Sequence, residues 1–283
     1  MNVGIIGYGS MGRMLAEKFA ESGAAPDVLF VSNRTPEKLA DAGRLATVCA
    51  GNAELASRAD IIFICVRPAD VRTVMEEIRE NLKEDSLIVS LNGSIPFEQL
   101  ERIVRHKMAK AIPGVTAEIN RSQTLVCFNE PAAPEDRKNL KALLSPLGDV
   151  IELPENEMGM GSELVSCMPG FIASILDVLC RAARKHTSIP DEQVVRMVLG
   201  AMCGTGELML RKQMSFEDTV SRVATRGGIT EEGTKVIYDL FPETADRLFE
   251  KTLEKRRLIK EQIRELLSDR GEEQEHAGGI QMD

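Results

Sequence analysis

Tryptophan is absent from this 283-residue chain, tyrosine occurs twice and histidine three times. Aromatics make up only 4% of the residues, so platforms for stacking nucleic-acid bases are missing. The formal charge of −9 excludes the basic face that a nucleic-acid partner requires. Six cysteines (Cys49, Cys65, Cys127, Cys167, Cys180 and Cys203) form no CxxC pair and share no metal-ligand spacing with His106, His186 and His276. No metal site is therefore expected. Several of these cysteines lie in apolar runs, where a reduced thiol behaves as a small hydrophobe, and a reducing cytoplasm is the expected setting. The chain enters a strand at Val3 with nothing resembling a secretion leader. Its most apolar segment, Leu164 to Ala183, is interrupted by Pro169, Asp177, Arg181, Ser166 and Ser174. That pattern suits a buried or dimer-core helix better than a membrane span, so no membrane partner is expected.

What the chain does have is 43% hydrophobic residues and a length that suits two domains. The most informative stretch is its beginning. Val3-Gly4-Ile5-Ile6 reads as a buried strand, and Gly7-Tyr8-Gly9-Ser10-Met11-Gly12 follows at once. Arg13 to Ser22 has helical periodicity, and a second strand, Val28 to Val31, ends in Ser32-Asn33-Arg34-Thr35. This is a glycine-rich dinucleotide-binding turn in strand–turn–helix–strand context. Gly7 permits the tight turn, Gly9 lets a pyrophosphate approach the backbone, and Gly12 lets the helix pack against the strand. The helix N-terminus offers N–H groups and a positive dipole end to the phosphates.

The end of the second strand selects the cofactor. An NAD site places an Asp or Glu there to accept from the ribose 2′-hydroxyl. This chain has Asn33, Arg34 and Thr35, donors that suit a 2′-phosphate, so NADP(H) is favoured over NAD(H). The same residues also suit a helix start, with Thr35 as N-cap and Pro36 in the first turn, and the two readings are compatible.

Strands and helices alternate through residue 153, predicting a doubly wound α/β sheet of Rossmann type. Helices are expected at Pro36–Ala42, Asn52–Arg58, Pro68–Leu82, Pro96–Val104 and Pro134–Leu144. Strands are expected near Thr47–Ala50, Asp60–Val66, Ser86–Leu91, Lys107–Ile112, Thr124–Asn129 and Gly148–Leu153. From residue 154 to 270 no strand is expected. Helices are suggested at Asn156–Cys167, Gly170–His186, Asp191–Met209, Ser215–Ala224, Glu231–Asp239 and Pro242–Arg270, and residues 271–283 read as a disordered tail. The helices around Leu164–Cys180 and Val194–Leu210 carry more apolar positions than one face needs, which favours an intertwined homodimer.

In an open α/β sheet, ligands bind beyond the carboxyl ends of the strands. Val66-Arg67-Pro68 follows one central strand, and Arg67 is either a contact to ligand oxygens or a surface residue ahead of a Pro-started helix. Asn92-Gly93-Ser94 reads mainly as a turn. In the second half, Thr225-Arg226-Gly227-Gly228-Ile229-Thr230 places two glycines between two helices. It can form an anion-binding nest of backbone N–H groups, or a glycine C-cap followed by Thr230 as N-cap. The histidines and the acidic pairs Glu155/Glu157 and Glu231/Glu232 read as solvated residues. The chain therefore shows no evident His or Lys general acid. A ketone reduction needs one for the developing alkoxide, whereas a protonated imine already carries its activating proton.

With these residues in view, the chain resembles the pyrroline-5-carboxylate reductase family over nearly its whole length. The resemblance rests on Ile6 to Gly12, Ser32 to Thr35, Val66-Arg67-Pro68, Ala111-Ile112-Pro113 and Val223 to Thr230. It implies an N-terminal Rossmann domain, a C-terminal helical dimerisation domain, and reduction of a cyclic imine to proline by hydride transfer to the C=N carbon. By the same resemblance, Thr225, Gly227, Gly228 and Ile229 hold the substrate carboxylate and Thr230 bonds the imine nitrogen. The cofactor contacts become Gly7, Tyr8, Gly9, Ser10, Met11, Gly12, Asn33, Arg34, Thr35, Val66, Arg67 and Pro68. The chain departs from the family at Ile112–Ala117, which lacks an Asn and a second Pro, and at Ser166–Gly170. Arg67 replaces a usual Lys, and Arg226 a usual Pro. These departures leave two alternatives: a different imine substrate, or a catalytically divergent NADP-binding regulatory protein. A hydroxy-acid dehydrogenase would want a catalytic Lys on a dimer-domain helix, and Lys185 at a helix end is poorly placed for that role.

Overall fold

The computed structural model describes residues 1–277, with side chains to Glu265. The chain forms two compact units, one of Met1–Cys167 together with the segment from Leu253 onward, the other of Met168–Thr252.

The first unit is built on eight strands: β1 Val3–Ile6, β2 Leu29–Ser32, β3 Thr47–Val48, β4 Ile61–Ile64, β5 Leu87–Ser90, β6 Met108–Ile112, β7 Ser122–Phe128 and β8 Gly148–Glu152. They lie in the order β3-β2-β1-β4-β5-β6-β7-β8. β1 to β6 run parallel, β7 runs antiparallel to β6, and β8 is parallel to β7. The reversal at β7 follows from chain length: residues 113–121 are too few for a helical crossover of a dozen or more residues. The connecting helices are α1 Ser10–Glu21, α2 Asn52–Arg58, α3 Pro68–Ile78, α4 Phe97–Glu101 and α5 Pro134–Leu144.

Alternation along the strands divides the core between the two faces of the sheet. Ile6, Ile62, Ile64 and Ile88 join Leu55, Val71 and Met75 of α2 and α3 on one face. Ile5, Ile61, Phe63 and Val89 join Leu15 and Phe19 of α1 and Leu140 and Leu144 of α5 on the other. Burial on both faces explains why β4 reads Ile61-Ile62-Phe63-Ile64 with no polar position. Phe19 meets Phe63 with ring centroids 5.5 Å apart, and each fully buried ring contributes about 1.5–3 kcal/mol.

Several expected helices take other forms. Pro36–Ala42 is not an α-helix but a pair of 3₁₀ turns, Pro36–Leu39 and Ala42–Arg44. Pro36–Leu39 buries no residue fully and sets only the half-buried Leu39 against the core, too little packing to offset the cost of nucleating a helix. Conversely, the helices expected at Glu231–Asp239 and Pro242–Arg270 are one, α10 Ile229–Ala277, which passes through Pro242. An interior proline costs roughly 3 kcal/mol, but ending the helix there would require a second nucleus, and the following residues are rich in Glu, Lys, Arg and Leu. Residues 271–277, expected as part of a disordered tail, instead continue this helix, and residues 278–283 lie outside the described residues.

The helices expected at Asn156–Cys167 and Gly170–His186 also run together. A 3₁₀ turn at Glu155–Glu157 leads into α6 Met158–Ser162, a π turn at Glu163–Cys167, and α7 Met168–Ala183. The π turn sits just before Pro169, whose missing N–H leaves the Val165 carbonyl without its usual donor, and a wider turn makes room for the ring. The first unit reaches past the expected boundary at 153–154 because Met158 and Val165 pack on its core. Glu163, 2% exposed, also accepts two hydrogen bonds from Arg256 of α10, at 2.6 and 2.9 Å. The second unit consists of α7, α8 Asp191–Lys212, α9 Phe216–Val223 and the first half of α10. The helical run Glu155–His186 is, by length and composition alone, long and apolar enough to cross a membrane.

One buried ion pair ties β6 to the start of this run. Lys110 on β6 is 1% exposed and pairs with Glu155, whose carboxylate also accepts the Phe97 N–H at 2.8 Å. Removing Glu155 strands a buried ammonium, whereas removing Lys110 leaves a carboxylate that is 39% exposed and still hydrogen-bonded. Glu155→Ala is therefore expected to cost about 3 kcal/mol in urea unfolding and Lys110→Met clearly less. Equal losses would remove this account of the pair.

Candidate cofactor and substrate sites

The cofactor candidate lies where β1 meets α1. Gly7 has φ +96°, and its N–H donates to the Ser32 carbonyl at 2.9 Å, joining the turn to the end of β2. A Cβ at Gly12 would fall 2.0 Å from the Gly7 carbonyl oxygen, so only glycine lets α1 start this close to the strand. Gly9 is the opposite case. A Cβ there would meet nothing within 4 Å, so the space above the turn is open. Gly9 caps α1, the first intrahelical bond runs from the Arg13 N–H to the Gly9 carbonyl, and the first turn carries no acidic residue. The N–H groups of Ser10, Met11 and Gly12 thus lack helical acceptors and face no carboxylate. A pyrophosphate fits this open, donor-lined, uncharged cradle.

The other expected cofactor residues divide by role. Tyr8 is buried in the core, and its N–H donates to Asn33 Oδ1 at 2.9 Å. Burial, reinforced by the Asp41 carboxylate, raises its phenol above the usual range. The Asn33 amide donates to the Thr35 carbonyl at 2.9 Å, so this side chain staples the glycine turn to the turn after β2. Thr35 occupies the expected cap position, but its hydroxyl makes no capping bond. Arg34 and Arg67 are exposed, and both reach Asp70 in the first turn of α3: Arg34 Nη1 to Oδ1 at 3.2 Å, Arg67 Nε to Oδ2 at 3.5 Å. Val66 and Pro68 flank Arg67 at the end of β4, and the Val66 carbonyl accepts from Asn92 Nδ2 at 3.0 Å. Asn92 is therefore a brace between the segments after β4 and β5 as well as a turn residue. Asp70 was not singled out from the sequence. The Arg67–Asp70 spacing was readable there, but the approach of Arg34 depends on the sheet order.

The substrate candidate lies in the second unit. Thr225 to Gly228 form a tight turn in which the Gly228 N–H donates to the Thr225 carbonyl at 2.8 Å and Gly227 has φ +72°. α10 begins at Ile229, which places Thr230 inside the first turn and not at the N-cap. The first-turn N–H groups of Ile229, Thr230 and Glu231 therefore have no intrahelical acceptors. The Glu231 carboxylate curls back to accept the Gly227 N–H. Thr225, Arg226, Ile229 and Thr230 are exposed. Among the described residues, no group of three or more His, Cys, Asp or Glu side chains is arranged to hold a metal ion.

With both geometries described, comparison with known proteins is decisive at one point. A curated protein of Bacillus subtilis, pyrroline-5-carboxylate reductase 3, is 35% identical over 265 residues, covering 92% of this chain and 97% of that protein. The chain belongs to the pyrroline-5-carboxylate reductase family. Residues 2–93 match the family model "NADP oxidoreductase coenzyme F420-dependent", and residues 155–259 match "Pyrroline-5-carboxylate reductase dimerisation". ComE operon protein 4 of Bacillus subtilis is 27% identical, over 89% of this chain and 94% of its own length. A Plasmodium falciparum pyrroline carboxylate reductase, solved with NADP bound, shares the fold at TM-score 0.78 and 21% identity, covering 95% of this chain and 98% of that one. The expected architecture, a Rossmann-type sheet followed by an all-helical region, is thus borne out.

The glycine geometry separates two substitutions. Gly9→Ala is expected to leave the melting temperature nearly unchanged while weakening NADPH binding at least about tenfold, because the methyl enters the phosphate approach. Gly12→Ala is expected to lower the melting temperature as well, since its methyl has nowhere to go. Fluorescence titration with NADPH and thermal melts check both.

Proposed function

We propose that this protein reduces pyrroline-5-carboxylate to proline with NADPH as hydride donor. The observation that carries the reading is the relation to Bacillus subtilis pyrroline-5-carboxylate reductase 3 along nearly the full length of both chains. The absence of a carboxylate at the end of β2, with Arg34 in the following turn, supports NADP(H) over NAD(H). When bound, the nicotinamide supplies the hydride. The turn at Thr225, Gly227, Gly228 and Ile229 holds the substrate carboxylate on backbone N–H groups, and the Thr230 hydroxyl hydrogen-bonds the imine nitrogen. The Glu231 carboxylate on the Gly227 N–H supports this role, being a carboxylate already accepted by that turn. Substrate would displace it.

The working form is a homodimer in the cytoplasm. Ile172, Ile175, Val178 and Leu179 of α7, and Met197, Leu199, Leu208 and Leu210 of α8, are exposed in the single chain. Covering apolar side chains of this size contributes about 1.5–3 kcal/mol each. Six free cysteines suit a reducing compartment.

A second reading, a nucleotide-binding regulatory protein, is favoured by the altered segments Ile112–Ala117 and Ser166–Gly170. Purified protein given pyrroline-5-carboxylate is expected to oxidise NADPH. Tight NADPH binding without turnover would favour the regulatory reading. Thr230→Ala is expected to lower kcat on the order of 10²-fold with KM little changed, while Thr230→Ser retains most of the rate. Light scattering is expected to give twice the chain mass or, where dimers assemble further, a multiple of it, and a monomer at micromolar concentration would remove the dimer.

A further inference from the structure

Three charged side chains from two separate segments of the chain meet at the cofactor edge of the sheet. Arg34 comes from the turn after β2 and Arg67 from the turn after β4. These turns lie at the carboxyl ends of strands on either side of β1, so they flank the crevice where a dinucleotide lies. Asp70 stands between them in the first turn of α3, where the helix dipole favours a carboxylate. Its two oxygens engage different arginines, Oδ1 with Arg34 Nη1 at 3.2 Å and Oδ2 with Arg67 Nε at 3.5 Å.

Exposure distinguishes the anchor from the arms. The arginine side chains are 78% and 80% exposed, whereas Asp70 is 30% exposed and belongs to a helix whose buried face packs on the sheet. Two long, solvated side chains would otherwise sample many rotamers and lose that freedom on binding a phosphate. Each arginine uses one edge on Asp70 and keeps further N–H donors. The cluster also keeps one net positive charge, two guanidinium groups against one carboxylate, so a phosphate is still attracted. Against this stands the repulsion between Asp70 and the phosphate, which screening by water and by the two intervening cations reduces.

We infer that Asp70 is a positioning residue for the cofactor's 2′-phosphate, holding Arg34 and Arg67 as one preset fork and thereby favouring NADPH over NADH. This rests on the NADP(H) reading, and it is tested by direct cofactor binding without any imine, so loss of substrate turnover cannot be mistaken for its failure.

The experiment is fluorescence titration of the full chain with NADPH and with NADH at fixed low salt. Asp70→Ala is expected to weaken NADPH about five- to tenfold and to change NADH less than about twofold. Asp70→Asn, which keeps an acceptor oxygen but not the charge, is expected to fall between. In an Arg34→Ala background, Asp70→Ala is expected to add much less, because its effect runs through the arginine. Unchanged or tighter NADPH binding in Asp70→Ala would overturn the inference, since the pair would then be inert or repulsion would dominate. If Arg34→Ala and Arg67→Ala also left the NADPH-to-NADH ratio unaltered, the phosphate would lie elsewhere and the underlying cofactor placement would fall with it. A thermal melt of Asp70→Ala is expected to match the parent, which separates positioning from folding.

Discussion

At the first turn of α1 the backbone of residue 12 lies so near the Gly7 carbonyl that a methyl group would fall 2.0 Å from its oxygen. That approach determines where the helix begins, and so where its free N–H groups point. It also lets Leu15 and Phe19 reach the sheet beside Ile5 and Phe63. The turn is held from the other side by the Gly7 N–H on Ser32 and the Tyr8 N–H on Asn33, which connect it to the end of β2. The glycine turn and the turn after β2 thus share one hydrogen-bonded frame. Loosening any member moves both.

Around this frame the chain uses charge in two ways. Buried pairs hold structure: Lys110 with Glu155 and Glu163 with Arg256 bind the first helical segments and α10 to the sheet unit. Desolvation makes such pairs costly to break and weakly stabilising to have, so they act mainly by specifying which elements belong together. Exposed pairs do much less for the fold. Arg34, Arg67 and Asp70 are solvated and contribute little to folding. The contact of the Glu231 carboxylate with the Gly227 N–H is likewise exposed.

Much of this was legible beforehand because its causes are local. Glycines at 7, 9 and 12 follow an apolar tetrapeptide, Pro134 opens a helix whose bounds were read to the residue, and the uniformly apolar Ile61–Ile64 announces a strand buried on both faces. The errors fall where local signals are overridden. Pro36 has the signature of a helix start but its turn sets only Leu39 against the core, and Pro242 has the signature of a stop inside a helix that continues. Thr230 had the composition of an N-cap, yet the helix begins one residue earlier. Asn33 looked like a cofactor donor, and the fold gives much of its amide to the backbone.

The sequence by itself determined the element types in the first half apart from Pro36–Ala42, the presence of a dinucleotide turn and the lack of an acidic residue at the end of β2, since each depends on residues within one short window. Tertiary structure alone decided that the first unit extends to Cys167 and takes back the end of α10. It alone brought Arg34 to Asp70, 36 residues further along the chain. Those outcomes depend on sheet order and on pairing between distant charges, and neither leaves a periodic or spacing signal in the chain. Local chemistry can be read along a sequence, whereas proximity between remote side chains exists only once the sheet has placed them.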